Sequence, residues 1–143
     1  MSALNLAQAL IKIKSISPDD GGCFKLLEPE LLSLGFGVEK IQELNCETLL
    51  AKFGTKGKIF CYLGHTDVVP SGPEEEWSSH PFEANVIDGE LIGRGAADMK
   101  GSVAAFIEAL KNFLPNCPEP DFQIWVMLTS NEEGEPQDGK INT

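Results

Sequence analysis

The chain has 143 residues, of which 42% are hydrophobic and 23% charged, a composition typical of one globular domain with a buried core. Its 22 acidic residues outnumber its 11 basic residues and give a net charge of −11, which disfavours binding to nucleic acid or to an anionic membrane surface. The longest apolar runs, such as residues 124–128, are too short to span a membrane, and residues 1–5 lack the basic start of a secretory signal, so we expect a cytoplasmic protein.

The first half of the chain is predicted to form two amphipathic helices and then a sheet. Apolar residues recur at helical spacing over residues 4–14 and again over residues 24–34, where Gly35 stands in the place of a C-terminal glycine cap. Short β-like runs follow at residues 36–41, 48–53 and 58–63, with residues 54–57 as the turn between the last two.

The second half is predicted to add a hairpin, a helix and a buried strand. Asp88-Gly89 separates the runs 84–87 and 90–92, as in a tight hairpin. Residues 102–114 form the strongest helical pattern, stopped by Pro115, and residues 122–128 are a nearly continuous apolar run. This order of elements predicts an α/β layered domain with a central mixed β-sheet flanked by helices.

The four cysteines, Cys23, Cys46, Cys61 and Cys117, are predicted to be reduced and structural. They include no Cys-x-x-Cys pair, which excludes a zinc ribbon and a thioredoxin-type motif. Cys61 lies in an apolar strand pattern and is therefore predicted to be a small buried hydrophobic residue.

Three clusters of acidic or histidine residues each follow an apolar, strand-like stretch. They are His65-Thr66-Asp67, the segment 93–101 that contains Asp98, and Asn131-Glu132-Glu133-Gly134. Taken singly, His-x-Asp also suits an ordinary hydrogen-bonded histidine, and Glu-Glu-Gly also suits a solvated turn. In an α/β fold, however, side chains at strand ends converge on one crevice. The three clusters together therefore indicate a metal site.

The residue types suggest a role for each side chain of such a site. His65 and Asp67 point to the same side if the strand persists, so that one can ligate while the other supports it. Asp98 has two oxygens and can bridge two metal ions roughly 3.5 to 4 Å apart. Glu132 and Glu133, as neighbours in an extended segment, should face opposite directions, so that one can bind metal and the other can take a proton.

Nucleotide binding is disfavoured by the same segments. Gly93-x-Gly95 resembles the start of a dinucleotide fingerprint, but Asp98 stands in the place of the third glycine, where it would repel a pyrophosphate. Residues 54–58 lack the spacing of a P-loop. Arg94 and Lys100 either hold an anionic substrate or brace the loop, and we favour bracing.

Several motifs together carry a family resemblance. Segments 64–70, 93–101 and 129–134, with Trp77, Pro81-Phe82 and Asp88-Gly89, resemble those of the co-catalytic zinc amidohydrolases that act on N-acyl amino acids. Segment 17–23 and the pair Ala96-Ala97 are more similar to the desuccinylase branch than to the deacetylase branch.

The resemblance implies a role for each residue of the site. It implies that His65 ligates one zinc ion, that Asp98 bridges two, and that Glu133 ligates the second. It further implies that Asp67 orients His65 and that Glu132 is the general base and acid. The implied cofactor is two Zn²⁺, or Co²⁺ in their place, in a zinc-peptidase-like catalytic domain.

The resemblance also implies an activity for a longer protein. The desuccinylase branch hydrolyses N-succinyl-LL-2,6-diaminopimelate, a small molecule, in lysine and diaminopimelate biosynthesis, and the implied full-length form is a homodimer. The family's further carboxylate ligand, its late histidine and its lid and dimerisation domain have no counterpart in residues 1–143. We therefore expect the N-terminal part of a catalytic domain, inactive alone and with weak or no zinc retention.

Two other interpretations stay open at this point. One is another N-acyl amino acid deacylase, such as acetylornithine deacetylase, because the metal motifs are shared across the family. The other is a non-catalytic module that binds a partner.

Overall fold

The computed structural model describes residues 1–134, whose larger sheet has four strands. These strands are β1 (Gly37–Glu43), β2 (Cys46–Phe53), β3 (Ile59–His65) and β6 (Gln123–Thr129). Strand β2 runs antiparallel to β1 and β6, whereas β3 runs parallel to β6. The predicted mixed sheet of an α/β domain is confirmed.

Within residues 1–134, three α-helices accompany the sheet: α1 (Ala3–Lys12), α2 (Cys23–Ser33) and α3 (Gly101–Phe113). The glycine cap predicted after α2 is confirmed, since Gly35 has φ +87° and its amide donates to the Leu32 carbonyl. Helix α1 ends at Lys12 rather than at residue 14, because Ile13 has extended backbone angles. No helix of the described residues is long and apolar enough to cross a membrane.

Short elements connect the helices and strands. Strands β4 (Asn85–Ile87) and β5 (Glu90–Ile92) form the predicted hairpin, in which Asp88 and Gly89 both have positive φ, as a type I′ turn requires. Turns of 3₁₀ helix occupy Glu74–Glu76 and, directly after α3, Leu114–Asn116.

The hydrophobic core lies between the three α-helices and one face of the sheet. Alternate residues of β6 are fully buried, as the period of two in a strand requires, and they share this core with residues of β2. Burying each large aliphatic side chain contributes roughly 1.5 to 3 kcal/mol. The core includes Leu6, Leu10, Leu27, Leu31, Leu49, Ala51, Val103, Ile107, Ile124, Val126 and Leu128.

The prediction that Cys61 is buried is wrong. Cys61 pairs with Trp125 on the face of the sheet that points away from the core, and β3 is the edge strand of this sheet within the described residues, so the thiol is exposed. All four cysteines are free, as predicted. On the core face, Tyr62 stacks on Phe106 of α3 with ring centroids 4.2 Å apart.

Lys100 is fully buried between α1 and α3, in line with the bracing role favoured for it. Its Nζ donates to the carbonyls of Leu10 and Ile13, each at 2.8 Å, at the C-terminal end of α1. Each carbonyl also accepts a backbone amide, Leu10 from Ile13 and Ile13 from Ser15, so Lys100 supplies a second, charged donor at this helix end. Burial lowers the pKa of the Lys100 ammonium, while Cys23, Asp20 and Asp67 oppose that shift. One side chain thus joins the end of α1 to the start of α3.

We predict that Lys100→Met lowers the free energy of unfolding by about 2 kcal/mol, because two backbone carbonyls at the end of α1 lose a charged donor. Urea denaturation followed by circular dichroism measures the change. The control is Lys12→Met, which alters an exposed lysine of the same helix end and should stay within about 0.5 kcal/mol of the wild type. Equal effects of the two substitutions would contradict the bracing role.

Candidate metal centre

The parallel pair β3 and β6 brings two of the predicted clusters to one edge of the sheet. His65, the last residue of β3, pairs in register with Thr129, the last residue of β6. Glu132 and Glu133 follow directly after Thr129 in the chain. Because strands that run in the same direction end at the same edge, the three side chains meet there.

The imidazole of His65 is held on one side and faces carboxylates on the other. Its Nδ1 lies 3.0 Å from the backbone carbonyl of Asp67 and 3.5 Å from Asp67 Oδ1. Its Nε2 lies 3.1 Å from Asp98 Oδ1 and 3.8 Å from Glu132 Oε2. The hydrogen bond at Nδ1 leaves Nε2 as the nitrogen that can ligate a cation.

Asp67 is fully buried and its carboxylate is already saturated with donors. It accepts hydrogen bonds from the backbone amides of Glu132, at 3.2 Å, and Glu133, at 3.1 Å, and from the hydroxyl of Ser17. A carboxylate with 0% exposure and these donors has no free face for a metal ion. Asp67 is placed to orient its neighbours.

His65 and Asp67 shift each other's pKa in opposite directions. Burial by itself raises the pKa of Asp67, but the hydrogen bonds from His65, Ser17, Glu133 and Glu132 outweigh it and lower the pKa to about 2. The Asp67 side chain in turn raises the pKa of His65 to about 9, against the effect of burial. A cation that binds His65 must therefore displace a proton.

The expectation that Glu132 and Glu133 face opposite directions is wrong. The chain bends after β6 instead of staying extended, and both amides turn towards Asp67. As a result, one ligand atom from each of His65, Glu132 and Glu133 lies within 4.8 Å of the other two. Both carboxylates are placed beside the histidine.

Asp98 reaches the same cluster from the turn before α3. The turn spans Ala96–Lys100, where Asp98 and Met99 depart from helical backbone angles, and it starts after Gly95, whose φ is +82°. The Asp98 side chain is 72% exposed and contacts His65. Burial raises the pKa of Glu133, and the charge of Asp98 and a hydrogen bond with it add to the shift. Asp98 therefore contacts His65 directly and interacts electrostatically with Glu133.

Arg94 and His80, which lie near these motifs in the sequence, do not join the cluster. An Arg94 Nη2 atom donates to the Ser71 carbonyl at 3.3 Å, and the guanidinium lies 5.1 Å from the centroid of the Trp77 ring. This contact supports the bracing role favoured for Arg94. His80 lies 3.2 Å from a Glu74 oxygen, outside the cluster.

The donor set suits a borderline-soft divalent cation such as zinc. One imidazole nitrogen and several carboxylate oxygens are among the ligands that zinc takes in proteins. They border an open cavity of about 410 Å³, lined in part by His65, Asp98, Met99, Thr129 and Glu132. All five residues predicted for the site have therefore been brought together: His65, Asp98 and Glu132 line the cavity, Glu133 lies beside His65, and Asp67 lies beneath them.

The family is decided by the match to a sequence profile. The profile of peptidase family M20/M25/M40 matches residues 61–142, which include every predicted site residue. The chain belongs to this family. The M20/M25/M40 match begins inside β3, so it covers the segment that carries all three clusters.

Curated relatives match nearly the whole chain. A succinyl-diaminopimelate desuccinylase of Halorhodospira halophila is 50% identical over 97% of this chain and 37% of its own length. A protein of the same name from Marinobacter nauticus is 46% identical over 96% of this chain and 37% of its own length. The chain spans about 37% of the length of these relatives.

Solved structures show the same fold. Human carnosine dipeptidase 1 is 25% identical, with a TM-score of 0.74 over 88% of this chain and 31% of that protein. The M20 family metallo-carboxypeptidase Sso-CP2 of Sulfolobus solfataricus is 23% identical, with a TM-score of 0.77 over 90% of this chain and 30% of that protein. The M20 family thus includes a metallo-carboxypeptidase with this α/β arrangement.

Sequence patterns did not reveal the residues that support Asp67. Ser17 donates to its carboxylate, and Ser15 Oγ donates to the Thr66 carbonyl at 2.7 Å. Both serines precede α2, and no spacing rule connects them with residues 66–67. The only signal is that Ser17 begins the segment 17–23 that resembles the desuccinylase branch.

Proposed function

We propose that this chain supplies part of the active site of a succinyl-diaminopimelate desuccinylase. In full-length form this enzyme hydrolyses the amide of N-succinyl-LL-2,6-diaminopimelate to succinate and LL-2,6-diaminopimelate. The observation that carries the proposal is the 50% identity with the desuccinylase of H. halophila over 97% of the chain. The cluster of His65, Asp98, Glu132 and Glu133 gives that identity a chemical basis.

The proposed cofactor is a pair of zinc ions, for which Co²⁺ is a substitute. His65 is the proposed ligand of one ion through Nε2, Glu133 of the other, and Asp98 of both, since its side chain contacts His65 and interacts electrostatically with Glu133. When bound, zinc acts as a Lewis acid that polarises the amide carbonyl and lowers the pKa of water at the site.

Glu132 is the proposed general base. Its carboxylate is 60% exposed and lies 3.8 Å from His65 Nε2, so it faces the cavity rather than the core. Its backbone amide is tied to Asp67, which fixes the point from which the side chain extends. From this position Glu132 takes a proton from the attacking water and returns it to the leaving nitrogen.

The remaining metal ligands of the proposed site belong to further segments of the full-length protein. A catalytic zinc ion normally keeps three protein ligands, so two ions require more than His65, Asp98 and Glu133. We propose that these ligands come from regions of the full-length protein that correspond to the parts of the relatives outside the matched 37%. We propose that the full-length protein is a cytoplasmic homodimer and that this chain forms the N-terminal part of its catalytic domain.

Substrate specificity tests the function directly. The full-length protein should release succinate from N-succinyl-LL-2,6-diaminopimelate with a kcat/KM at least about a hundredfold above its kcat/KM for N-acetylornithine or β-alanyl-histidine, a difference of about 2.7 kcal/mol. A dipeptide is a meaningful competitor because the structural relatives include a carnosine dipeptidase. Preference for either competitor would show that the full-length protein is another hydrolase of the family and not a desuccinylase.

We predict that Glu132→Ala in the full-length protein lowers kcat by about 10² to 10⁴, because the proton carrier is lost. The metal content, measured by atomic emission, should stay that of the wild type. Glu90→Ala, an exposed glutamate of β5, is the matched control and should keep full activity. If Glu132→Ala loses metal instead, Glu132 is a ligand.

The two histidines of the chain provide a matched test of metal binding. We predict that His65→Ala weakens binding of Co²⁺ to this chain at least about tenfold, because the nitrogen ligand is removed. His80→Ala, which removes the other imidazole, should leave the Kd unchanged. Titration with Co²⁺, followed by its visible absorption, measures both. Equal Kd values for the two variants would contradict the assignment of His65.

A further inference from the structure

The segment before α2 runs beside the chain where it leaves β3. Val68 N donates to the Ser15 carbonyl at 2.8 Å, and Ser17 N donates to the Val68 carbonyl at 3.2 Å, with Ile16 and Val68 forming a parallel bridge. These bonds place residues 15–17 directly against the turn that carries Asp67. The hydroxyl of Ser17 is thereby brought to Asp67 Oδ2.

The Asp67 carboxylate connects Ser17 with both glutamates. Oδ2 accepts the Ser17 hydroxyl and the amide of Glu133, while Oδ1 accepts the amide of Glu132 and lies 3.5 Å from His65 Nδ1. A carboxylate group is rigid and planar, so a donor on one oxygen also sets the direction of the other. Rotation of the Asp67 side chain would therefore move both amide contacts together.

The backbone after β6 depends on these contacts. Residues 131–134 lie outside regular secondary structure, so no strand pairing holds the amides of Glu132 and Glu133. Asp67 is the group that accepts both. A small change at Asp67 is then transmitted to the carboxylate of Glu132, which lines the cavity, and to that of Glu133, which lies beside His65.

We propose that Ser17 is a positioning residue for the metal centre. It fixes the Asp67 carboxylate, which in turn holds Glu132 and Glu133 beside His65. The inference rests on the proposed function for its use of metal binding, but the effect of Ser17 on the backbone is independent of any metal. Ser17 itself lies behind Asp67 and has no assigned contact with a cation.

Three variants of this chain separate positioning from simple support of the loop. Ser17→Ala removes the hydroxyl, and Ser17→Thr keeps it. Ser15→Ala removes a buried hydroxyl of the same segment that donates to the Thr66 carbonyl instead of Asp67. Positioning requires an effect of Ser17→Ala that Ser17→Thr restores and Ser15→Ala does not reproduce.

The first readout is amide hydrogen exchange by NMR in the metal-free chain. Ser17→Ala should accelerate exchange at Glu132 and Glu133 at least about tenfold relative to Leu128, a buried residue of the neighbouring strand. Ser17→Thr should exchange like the wild type. An unchanged ratio in Ser17→Ala, or the same acceleration in Ser15→Ala, would overturn the proposal.

The second readout is the Kd for Co²⁺ alone. Loss of a group that orients ligands typically costs 10- to 100-fold in metal affinity, so Ser17→Ala should weaken Co²⁺ binding by about tenfold or more, and Ser17→Thr should restore it. Wild-type affinity in Ser17→Ala would overturn the role in metal binding. If the wild-type chain binds no Co²⁺, the proposed metal site of this chain fails, while the exchange data still decide the role of Ser17.

A third readout needs no substitution and so remains decisive if Ser17→Ala does not fold. In the wild-type chain, the Ser17 hydroxyl proton should be protected from exchange with water and show a nuclear Overhauser effect to the Glu133 amide, because both groups donate to Asp67 Oδ2. A rapidly exchanging hydroxyl without this contact would overturn the proposal.

Discussion

The buried carboxylate of Asp67 is the interaction on which the candidate site depends. It receives the hydroxyl of Ser17, the amides of Glu132 and Glu133, and the electrostatic attraction of His65. A buried anion is costly unless such donors compensate it, and here they outweigh burial and lower the pKa to about 2. The same donors come from three separate parts of the chain, so satisfying one charge also assembles the site.

The sheet makes this assembly possible through its one parallel pair within the described residues. Because β3 and β6 run in the same direction, His65 and the residues after Thr129 end at the same edge. Helix α3 is joined to that edge by the turn that carries Asp98, and Lys100 ties the turn to the end of α1. The polar groups at the site therefore lie above a core that the helices and the sheet form together.

Much of this architecture could be predicted from local patterns. Helical spacing predicted α2 and α3, Asp88-Gly89 predicted the hairpin, and the residue types His65, Asp98, Glu132 and Glu133 predicted a metal-binding cluster. The failures were also physical in origin. Glu132 and Glu133 do not face opposite directions, because the chain after β6 bends instead of staying extended. The burial of Cys61 was inferred from apolar neighbours in sequence, whereas exposure depends on which face of an edge strand the thiol occupies.

The sequence by itself determined which chemical groups are available and which segments form helices and strands, because both follow from residue type and short-range spacing. Only the tertiary structure decided that Ser17 meets Asp67, a partner 50 residues away, and that Asp67 in turn holds amides 65 and 66 residues further on. Contacts at such separations depend on strand order and on the course of the loops. For that reason the chemical groups around the candidate metal centre could be predicted from the sequence, whereas their positions relative to one another depend on the fold.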